Sequence, residues 1–414
     1  MFAQSIEQVQ AVVRICARNR MPLTARGRGT ATTGAAVPIQ GGVVLSFERM
    51  TQIIEIDPQN RLARVQPGVL NGALQTAPAP YGFFWPPDPT SAAFCSIGGN
   101  LACNAGGPRA VKYGATRDNV LCLSFVDGQG HLIRTGTLTS KGAVGYDLTR
   151  LLIRAEGTLG LIVAATLKLT PLPEARGFMR LAFSDVASAA LAVSAIMAQP
   201  HTPSALEFLD EASLNLIRQN APELAPHGRA LLLIEIDGFA SSLVQALAAI
   251  DAAGANSGRV ECLQSTDSKL GTELWAARRA LSPKLRAIAP KKINEDVVVP
   301  VAKLPLLIAG VAKISRESGI PAVSFSHAGN GNIHVNFLYD PANLAQFEAA
   351  PKTLCDLFAL VLQLGGTLSS EHGIGLDKLA FVKDALDPGA LSLMRAIKTQ
   401  FDPHGILNPG KVLP

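Results

Sequence analysis

The sequence of 414 residues predicts an α+β fold built from two domains. Three observations predict it. A chain of this length exceeds one compact core, because such cores stop growing at about 250–300 residues. Up to about residue 175, short strand patterns dominate and do not alternate with helices as they do in doubly wound sheets. Beyond Arg180, longer helices rich in Ala and Leu appear, with strands such as RALLLIEIDG (229–238).

The elements of the first domain follow in chain order. SIEQVQAVVRICARNR (5–20) places three Val and one Cys on one helical face, with Ser5 as its cap. The later elements are delimited by alternating apolar residues and by Gly and Pro stops. They are strands in MPLTAR, GGVVLSF, TQIIEID and RLARVQP, a helix near 69–77, a Pro-rich loop in PPDPTS (86–91), a hairpin over 120–136 that turns at 127–130, and a long strand within 157–173.

Composition narrows the class of protein. Apolar residues make up 48% and charged residues 17%, which indicates a globular chain. The net charge of +5 is spread along the chain without a basic run, and aromatic residues are only 5%. This pattern argues against nucleic acid as a partner.

Cysteines and apolar runs bear on cofactors and location. The six cysteines form no C-x-x-C pair and no ferredoxin spacing, so any iron–sulfur cluster would have to sit on another protein. MFAQSIEQVQ lacks the basic and apolar regions of a signal peptide. No apolar run approaches the roughly 20 residues of a transmembrane segment. We expect a cytoplasmic protein and leave peripheral attachment to the inner face of the membrane open.

Two glycine clusters call for a reason. They are ARGRGTATTG (25–34) and CSIGGNLACNAGGPRAVKYG (95–114). Glycine lets backbone N–H groups approach a ligand closely and form anion-binding nests. Neither cluster is a Walker loop, and the first lacks both the G-x-G-x-x-G frame and a following helix pattern. Simple turns and a diphosphate site outside a Rossmann fold both remain open on these residues alone.

A family resemblance adds to this. PPDPTS, SIGGNLACNAGGPRAVKYGATRDNV and GYDLTRLLIRAEGTLG resemble the FAD-binding domain of the vanillyl-alcohol oxidase/p-cresol methylhydroxylase flavoproteins. The chain is most similar to their D-lactate dehydrogenase and glycolate oxidase FAD-subunit branch. The resemblance implies a p-cresol methylhydroxylase-type FAD-binding domain over 1–175, an α+β, ferredoxin-like substrate or cap domain over 176–400, and a C-terminal segment, 401–414, that returns to the flavin. The chain starts at a position that resembles the end of the family's first strand, so we expect its N-terminus to be shortened.

The resemblance also implies the FAD contacts. The first glycine cluster and a loop from Ile97 to Asn104 would wrap the diphosphate, and Asn408 would lie near the isoalloxazine. Ala31 departs from the glycine usual in relatives. The FAD is expected to be non-covalent, because no His stands where covalent members attach it. The implied FAD-binding residues are Arg26, Gly27, Arg28, Gly29, Thr30, Pro87, Asp88, Ile97, Gly98, Gly99, Asn100, Asn104, Gly106, Gly107, Gly114, Glu156, Gly157, Gly160, Leu161, Ile162 and Asn408.

Histidines cluster in two short motifs. HAGNGNIH places His327 and His334 between apolar ends and predicts a strand–turn–strand with glycines in its bend. SSEHGIG adds Glu371 and His372. Two His nitrogens and a carboxylate form an open site for a divalent cation, although H-x₆-H alone is more often two ordinary histidines. In the resembling family the positions of His327, His334 and Glu371 hold a metal (Zn, or Mn or Fe), and that of His372 is the base.

Two positions near these motifs depart from the family. Asn330 stands where relatives usually carry Asp, and Ser370 where they carry Gly. The change at Asn330 removes one negative charge close to the expected metal ligands, and such neighbours tune metal affinity.

Oxidation of a 2-hydroxy acid requires removal of the hydroxyl proton and hydride transfer from Cα to flavin N5. Neutral His372 suits the first step. A guanidinium suits the substrate carboxylate. The family match favours Arg278 for this purpose, whereas Arg279 is expected on a solvated face of the helix. Ser282 is a further candidate for the pocket.

The leading hypothesis is FAD-dependent oxidation of a D-2-hydroxy acid, such as D-lactate or glycolate, to the 2-oxo acid. Electrons would pass to a quinone, a cytochrome or a partner subunit with an iron–sulfur cluster, and a homodimer stays open. Two alternatives remain. One is a degenerate, flavin-poor structural subunit of a glycolate oxidase-type complex, and the other is an oxidase that uses oxygen.

Overall fold

The computed structural model describes residues 1–219, 227–285 and 288–414, without the side chains of Ser282 and Pro283. The chain forms two compact units. Unit 1 comprises Met1–Gly107, Tyr113–Leu172 and Glu371–Pro414, and unit 2 comprises Pro108–Lys112 and Pro173–Ser370. The chain passes into unit 2 at Pro173 and returns to unit 1 at Glu371, whereas the sequence analysis began the corresponding segments at residues 176 and 401.

The secondary structure is mixed in both units. The strands of the described residues are β1 Leu23–Arg26, β2 Val43–Ser46, β3 Ile53–Asp57, β4 Leu62–Val65, β5 Phe83–Phe84, β6 Val120–Val126, β7 Leu132–Gly136, β8 Leu161–Lys168, β9 Thr170–Pro171, β10 Ala175–Phe183, β11 Ala205–Leu209, β12 Ala230–Gly238, β13 Arg259–Ser265, β14 Lys291–Val298, β15 Ala322–Ser326 and β16 Asn332–Tyr339.

The α-helices of the same residues are α1 Ile6–Asn19, α2 Asn71–Thr76, α3 Ile97–Cys103, α4 Ala110–Tyr113, α5 Leu148–Leu152, α6 Val186–Ala198, α7 Glu211–Arg218, α8 Ala240–Ala253, α9 Ser268–Arg279, α10 Leu281–Lys284, α11 Leu304–Ser318, α12 Leu344–Gln363, α13 Val382–Ala385 and α14 Pro388–Phe401. Short 3₁₀ helices lie at Ala79–Tyr81, Thr116–Asn119, Val301–Lys303, Ala328–Asn330 and Leu379–Phe381. In the described part of the chain, none of the helices combines the length and the apolar character needed to cross a membrane.

Unit 1 contains a small parallel layer and an antiparallel sheet. Strands β1 and β2 pair in parallel, and single parallel bridges add Phe2 beside Ser46 and Leu407 beside Leu23. Over the residues that the structure describes, the larger sheet has five strands in the order β3-β4-β8-β6-β7. The 120–136 hairpin is β6 and β7, as predicted. Helix α1 also confirms its prediction, with Val9, Val12, Val13 and Cys16 buried and Ser5 as the cap.

The predicted loop from Ile97 to Asn104 is wrong, because residues 97–103 form helix α3 and Asn104 ends it in the left-handed conformation, φ 56°. Ile97 and Leu101 are completely buried, so the segment has a helical apolar face that the glycines obscured in the sequence. Gly98 allows close packing, since a Cβ there would lie 2.6 Å from Cβ of Pro67.

Unit 2 is built around one antiparallel sheet. Among the described residues it has seven strands, in the order β13-β10-β12-β11-β15-β16-β14. Helices cover both faces: Gly177 of β10 faces Leu247 of α8, while the next residue, Phe178, faces Gly271 of α9. Successive side chains of a strand point to opposite faces. The central strands β11 and β12 are therefore buried, and they carry the buried acids Glu207 and Glu235.

Candidate active site

The candidate site in unit 2 is organised by one carboxylate. Glu207 lies in β11, and its side chain is completely excluded from solvent. Its Oε2 accepts a hydrogen bond from Nε of Arg278 at 2.7 Å, and its Oε1 lies 2.5 Å from Nδ1 of His327. The guanidinium of Arg278 also stacks over the ring of Phe325, 4.5 Å from its centroid. The buried carboxylate thus joins a predicted substrate-binding arginine to a predicted metal ligand.

The second predicted histidine ligand lies beside the first. His327 follows β15 and His334 lies in β16; their ring centroids are 5.1 Å apart and their planes nearly perpendicular, at 87°. The antiparallel pairing of β15 and β16 returns the chain and sets Phe325 opposite His334. Both imidazoles are buried, each 7% exposed. The strand–turn–strand prediction is therefore confirmed.

The two glycines of the bend have different functions. Gly331 adopts φ 74°, which L side chains rarely adopt, and it closes the turn. Gly329 is not in the left-handed region; instead, a Cβ there would lie 2.5 Å from Cγ2 of Val111. The expectation that both glycines make the bend is thus corrected, since Gly329 serves close packing.

The charges around Glu207 explain its ionisation. Burial by itself would raise the pKa of the Glu207 carboxyl. The electrostatic interactions with His327 and Arg278, and the hydrogen bond from His327, outweigh burial and hold this pKa below its ordinary value. Glu207 is therefore a carboxylate at neutral pH, and it can accept hydrogen bonds from both partners.

A second buried acid supports His334. Asp296 of β14 pairs with His334 across the strands, and its Oδ1 lies 3.7 Å from Nδ1 of that ring. Asn332 donates its Nδ2–H to the same oxygen at 2.6 Å. The backbone N–H of Ser370 donates to Oδ2 at 3.0 Å. Asp296 thus fixes the chain at Ser370, one residue before Glu371.

The EHG motif opens the last stretch of unit 1. Glu371 accepts a hydrogen bond from the backbone N–H of Gly106 at its Oε2, 3.0 Å away. The carbonyl of His372 accepts from Oγ1 of Thr33 at 3.1 Å, and the backbone N–H of Leu376 donates to the Thr33 carbonyl at 2.7 Å. This loop is therefore bound at its backbone.

Glu156 provides the other anchor of this loop. Its carboxylate accepts from the backbone N–H of Ile374 at 2.7 Å and of Gly375 at 2.9 Å. Glu156 is 5% exposed and has φ 48°, a left-handed conformation. A Cβ on Gly373 would lie 2.6 Å from Oε1 of Glu156. Burial raises the pKa of the Glu156 carboxyl, although the two backbone hydrogen bonds oppose that rise.

The glycine clusters approach each other within unit 1. A Cβ on Gly27 would lie 2.5 Å from Oγ of Ser96. Arg26 and Arg28, beside Gly27, both bind Glu48, with Nη1–carboxylate distances of 2.5 and 2.9 Å. The first cluster therefore packs at Gly27 against the start of α3, while its two guanidinium groups are paired with one acid.

Comparison with known protein families identifies the chain. A family model described as FAD binding domain matches residues 1–136. A second, described as FAD linked oxidases, C-terminal domain, matches residues 172–412, more than half of the chain. The chain belongs to the FAD-linked oxidase family. The resemblance drawn from the glycine and histidine motifs is thereby confirmed, and this FAD-linked oxidase is an FAD-dependent oxidoreductase.

Relatives of this FAD-linked oxidase extend over nearly its whole length. The glycolate oxidase subunit GlcD of Bacillus subtilis (strain 168) is 36% identical over 410 residues, covering 99% of this chain and 87% of the relative. GlcD of Escherichia coli (strain K12) is 34% identical, with 99% and 82% covered. The D-lactate dehydrogenase of Anaerostipes hadrus is 33% identical, with 99% and 88% covered.

Solved structures share the fold at low identity. p-Cresol methylhydroxylase with substrate bound superposes with a TM-score of 0.83 at 18% identity, covering 99% of this chain and 88% of that one. The 4-ethylphenol oxidase of Gulosibacter chungangensis gives 0.79 at 20% identity, covering 99% and 88%. The predicted α+β flavoprotein fold is therefore confirmed.

The residues of unit 1 fit FAD. Several buried side-chain atoms of the described residues have no hydrogen-bond partner in the protein, and two of these bear on FAD: Oγ of Ser96 and Oδ1 of Asn408. Ser96 adjoins Gly27, and Asn408 donates its Nδ2–H to the carbonyls of Ala35 and Glu156, at 3.0 and 2.7 Å. Buried polar atoms without a protein partner indicate a missing ligand or solvent. Both lie at segments expected to bind FAD.

The other expected FAD residues also lie in unit 1, where several make contacts of their own. The Pro87 carbonyl accepts from Nδ2 of Asn71 at 3.0 Å, and Asn100 donates to Asn71 at 2.9 Å. Gly107 has φ 132°, and a Cβ there would lie 2.5 Å from the carbonyl oxygen of Asp88. Left-handed backbone also occurs at Gly29, Gly114 and Gly157, while Gly160 packs on Phe125 and Leu161 and Ile162 begin β8.

The sequence analysis missed two candidate functional residues, Glu207 and Asp296. Glu207 was missed although it is a lone acid in the apolar strand ALEFL, a usable signal. Asp296 was missed although NED interrupts a strand pattern. Arg278 is buried, as the pocket assignment requires, and Arg279 is exposed. The side chain of Ser282 lies outside the described residues.

Proposed function

We propose that this FAD-linked oxidase oxidises a D-2-hydroxy acid, such as D-lactate or glycolate, to the 2-oxo acid. The names of the relatives, glycolate oxidase subunit and D-lactate dehydrogenase, support this substrate class. The observation that carries the proposal is the buried set of Glu207, Arg278 and His327. Arg278, whose guanidinium suits a substrate carboxylate, and His327, whose imidazole suits a metal, both pair with Glu207.

Arg278 would bind the substrate carboxylate. Its Nε is already used by Glu207, so its terminal nitrogens are the ones that would pair with the substrate carboxylate. Guanidinium groups pair with carboxylates through two parallel hydrogen bonds, which fixes orientation as well as charge. The ring of Phe325 beneath the guanidinium holds its plane.

His327, His334 and Glu371 are proposed to hold a divalent metal, Zn, Mn or Fe. The donor chemistry of His327 fits, because a metal-binding His commonly donates its other ring N–H to a carboxylate, as Nδ1 does here with Glu207. His334 has the carboxylate of Asp296 on its Nδ1 side. A divalent cation, when bound, would acidify the substrate hydroxyl and orient the substrate.

His372 is proposed as the base that takes the hydroxyl proton. Thr33 binds the backbone carbonyl of His372, and Glu156 binds the backbone of the loop that follows. These hydrogen bonds hold the backbone that carries the imidazole. FAD, when bound without a covalent link, supplies the acceptor for the hydride from the substrate Cα. We propose that the electrons then leave to a quinone, a cytochrome or a partner subunit with an iron–sulfur cluster.

The test is anaerobic flavin bleaching. Protein reconstituted with FAD and Zn²⁺ or Mn²⁺ is mixed with a panel of D- and L-2-hydroxy acids and with glycolate, and flavin absorbance is followed. We expect bleaching by glycolate or by D-enantiomers and little by L-enantiomers. His372→Ala should slow bleaching by about 10²- to 10⁴-fold at unchanged FAD content. A wild-type protein that holds FAD and is bleached by none of the acids would refute the proposal.

A further inference from the structure

Glu207 holds two partners that the proposed function uses for different purposes. It stands in the middle of β11, in the apolar sequence ALEFL, and its side chain is 0% exposed. Burying a carboxylate is costly unless its oxygens are paired. Each oxygen has its own partner: Oε1 lies against Nδ1 of His327 and Oε2 against Nε of Arg278.

The position in the sheet makes this arrangement rigid. Leu209, two residues along β11, pairs with Phe325 of β15, and Phe325 pairs with His334 of β16. Residues two apart in a strand share a face, so Glu207 lies on the same face as this row. Strands β12 and β15 flank β11 on its two sides, which fixes the backbone from which the carboxylate projects.

The hydrogen bond to His327 sets which ring nitrogen can bind a metal. A carboxylate only accepts, so Nδ1 of His327 carries the proton, and the lone pair is left on Nε2. Without the acid the ring could adopt either tautomer and rotate. Glu207 therefore selects the tautomer that ligates through Nε2.

The hydrogen bond to Arg278 sets the direction of its guanidinium. With Nε held at 2.7 Å by Glu207 and the plane stacked on Phe325, the fork of terminal nitrogens has one orientation. Loss of the acid would leave the arginine charge buried but free to turn about the last bonds of its side chain.

We propose that Glu207 is a positioning residue that orients the metal ligand His327 and the carboxylate anchor Arg278 together. This inference rests on the proposed function and deepens it. One buried acid would then set the distance and direction between the metal and the group that binds the substrate carboxylate. A fixed separation suits 2-hydroxy acids, because their hydroxyl and carboxylate groups are on adjacent carbons. Removal of Glu207 should therefore weaken metal and substrate binding at the same time.

The decisive variant is Glu207→Gln, which keeps the shape of the side chain. A glutamine amide has one acceptor oxygen and one NH₂ group, whereas both partners of Glu207 donate N–H. Both partnerships can survive only if His327 moves its proton to Nε2 and accepts the amide N–H at Nδ1, which is the tautomer that cannot ligate through Nε2. The matched control is Glu235→Gln in the neighbouring strand β12, because Glu235 is also buried and pairs with two arginines, Arg109 at 3.6 Å and Arg176 at 3.9 Å.

Three measurements are made on FAD-loaded protein, with FAD content and melting temperature as checks of folding. Equilibrium dialysis of metal-free protein against Zn²⁺ and Mn²⁺ should show an affinity about 10- to 100-fold lower in Glu207→Gln. NMR of ¹⁵N-labelled histidine in the metal-free protein should show that His327 loses its pure Nδ1–H tautomer. Steady-state kinetics should show KM for the 2-hydroxy acid raised at least about tenfold, with Glu235→Gln close to wild type in all three.

The outcomes separate the two proposals. Unchanged metal affinity, tautomer and KM in Glu207→Gln, with an active wild type, would overturn the inference and leave the proposed function standing. A wild type that binds neither metal and bleaches with no hydroxy acid would overturn both. If Glu207→Gln does not fold, Glu207→Asp keeps the charge but shortens the reach by one methylene, and wild-type metal affinity and tautomer in that variant would contradict the inference.

Discussion

The carboxylate of Glu156 accepts a hydrogen bond from the backbone N–H of Gly375 at 2.9 Å, across 219 positions of the sequence. The same carboxylate takes the neighbouring N–H of Ile374. Two successive amides of the loop that follows His372 are therefore held by one buried acid. The position of the proposed base depends on a residue that the sequence places in a different motif.

Replacement of Glu156 by Gln should loosen this loop. One amide N–H would face the NH₂ of the glutamine instead of an acceptor, and a buried donor without a partner costs about 1–3 kcal/mol. We expect a lower melting temperature and slower flavin reduction, measured by thermal unfolding and stopped-flow absorbance. The matched control is Glu174→Gln, because the Glu174 carboxylate also accepts a backbone N–H, that of Ala240 at 3.2 Å, but at an exposed position. Equal effects of the two changes would contradict the prediction.

The metal prediction is tested by single histidine changes. His327→Ala and His334→Ala each remove one imidazole of the buried pair, so each should lower bound Zn²⁺ or Mn²⁺ by at least about tenfold. Elemental analysis after dialysis measures this directly. His404→Ala, at an exposed position, should retain the wild-type metal content. Equal, negligible metal in the wild type and all variants would exclude the site.

Arg278 and Arg279 offer an adjacent pair on the same helix, one buried and one exposed. Arg278→Lys keeps the charge but loses the Nε bond to Glu207 and the planar stack on Phe325. Hydrogen bonds to charged groups contribute about 1.5–3 kcal/mol, so KM for the acid should rise about 10- to 100-fold. Arg279→Lys should leave KM unchanged. A KM for Arg278→Lys within twofold of the wild type would remove Arg278 from the substrate site.

Asp210 predicts a pH dependence of stability in unit 2. It caps α7 through Ser213 and accepts the N–H of Ser324, yet burial raises its pKa from 3.8 to about 6. The folded carboxyl keeps its proton up to about pH 6, whereas the unfolded chain releases it near 3.8, so the native state binds more protons in this window. Stability should therefore fall as pH rises from about 4 to 6, by about 3 kcal/mol for a pKa difference of about two.

Urea unfolding at several pH values measures this slope. Asp210→Asn should remove the fall between about pH 4 and 6. Asp185 caps α6 in the same way but is solvated, and the hydrogen bonds from Ser188 lower its pKa. The stabilisation from Asp185 is lost as pH falls through that lowered pKa. Asp185→Asn should therefore remove a stabilisation that increases with pH, whereas Asp210→Asn removes a destabilisation that increases with pH. A slope that persists in Asp210→Asn would assign it to other groups.

Local sequence signals predicted the elements well where one face of a helix or strand determines them. Helix α1 and the hairpins of β6–β7 and β15–β16 follow from periodicity and turn residues over short stretches. Helix α3 was missed because its glycines suggest a loop, while the close approach of Pro67 that requires Gly98 cannot be seen in the sequence. Glu207 was missed because its partners lie 71 and 120 positions away, and only the tertiary fold brings them together.

Strand β1 also has a consequence for the order in which the chain folds during synthesis. Its partner on one side is Leu407, whose neighbours Ile406 and Asn408 exchange backbone hydrogen bonds with Leu23. The residues Pro173–Ser370, most of unit 2, leave the ribosome before Leu407 does. Domains generally fold in the order of synthesis, but here the unit that begins first cannot complete its sheet until the other has emerged. The parallel layer of β1, β2 and Leu407 is therefore completed only after most of unit 2 has been synthesised.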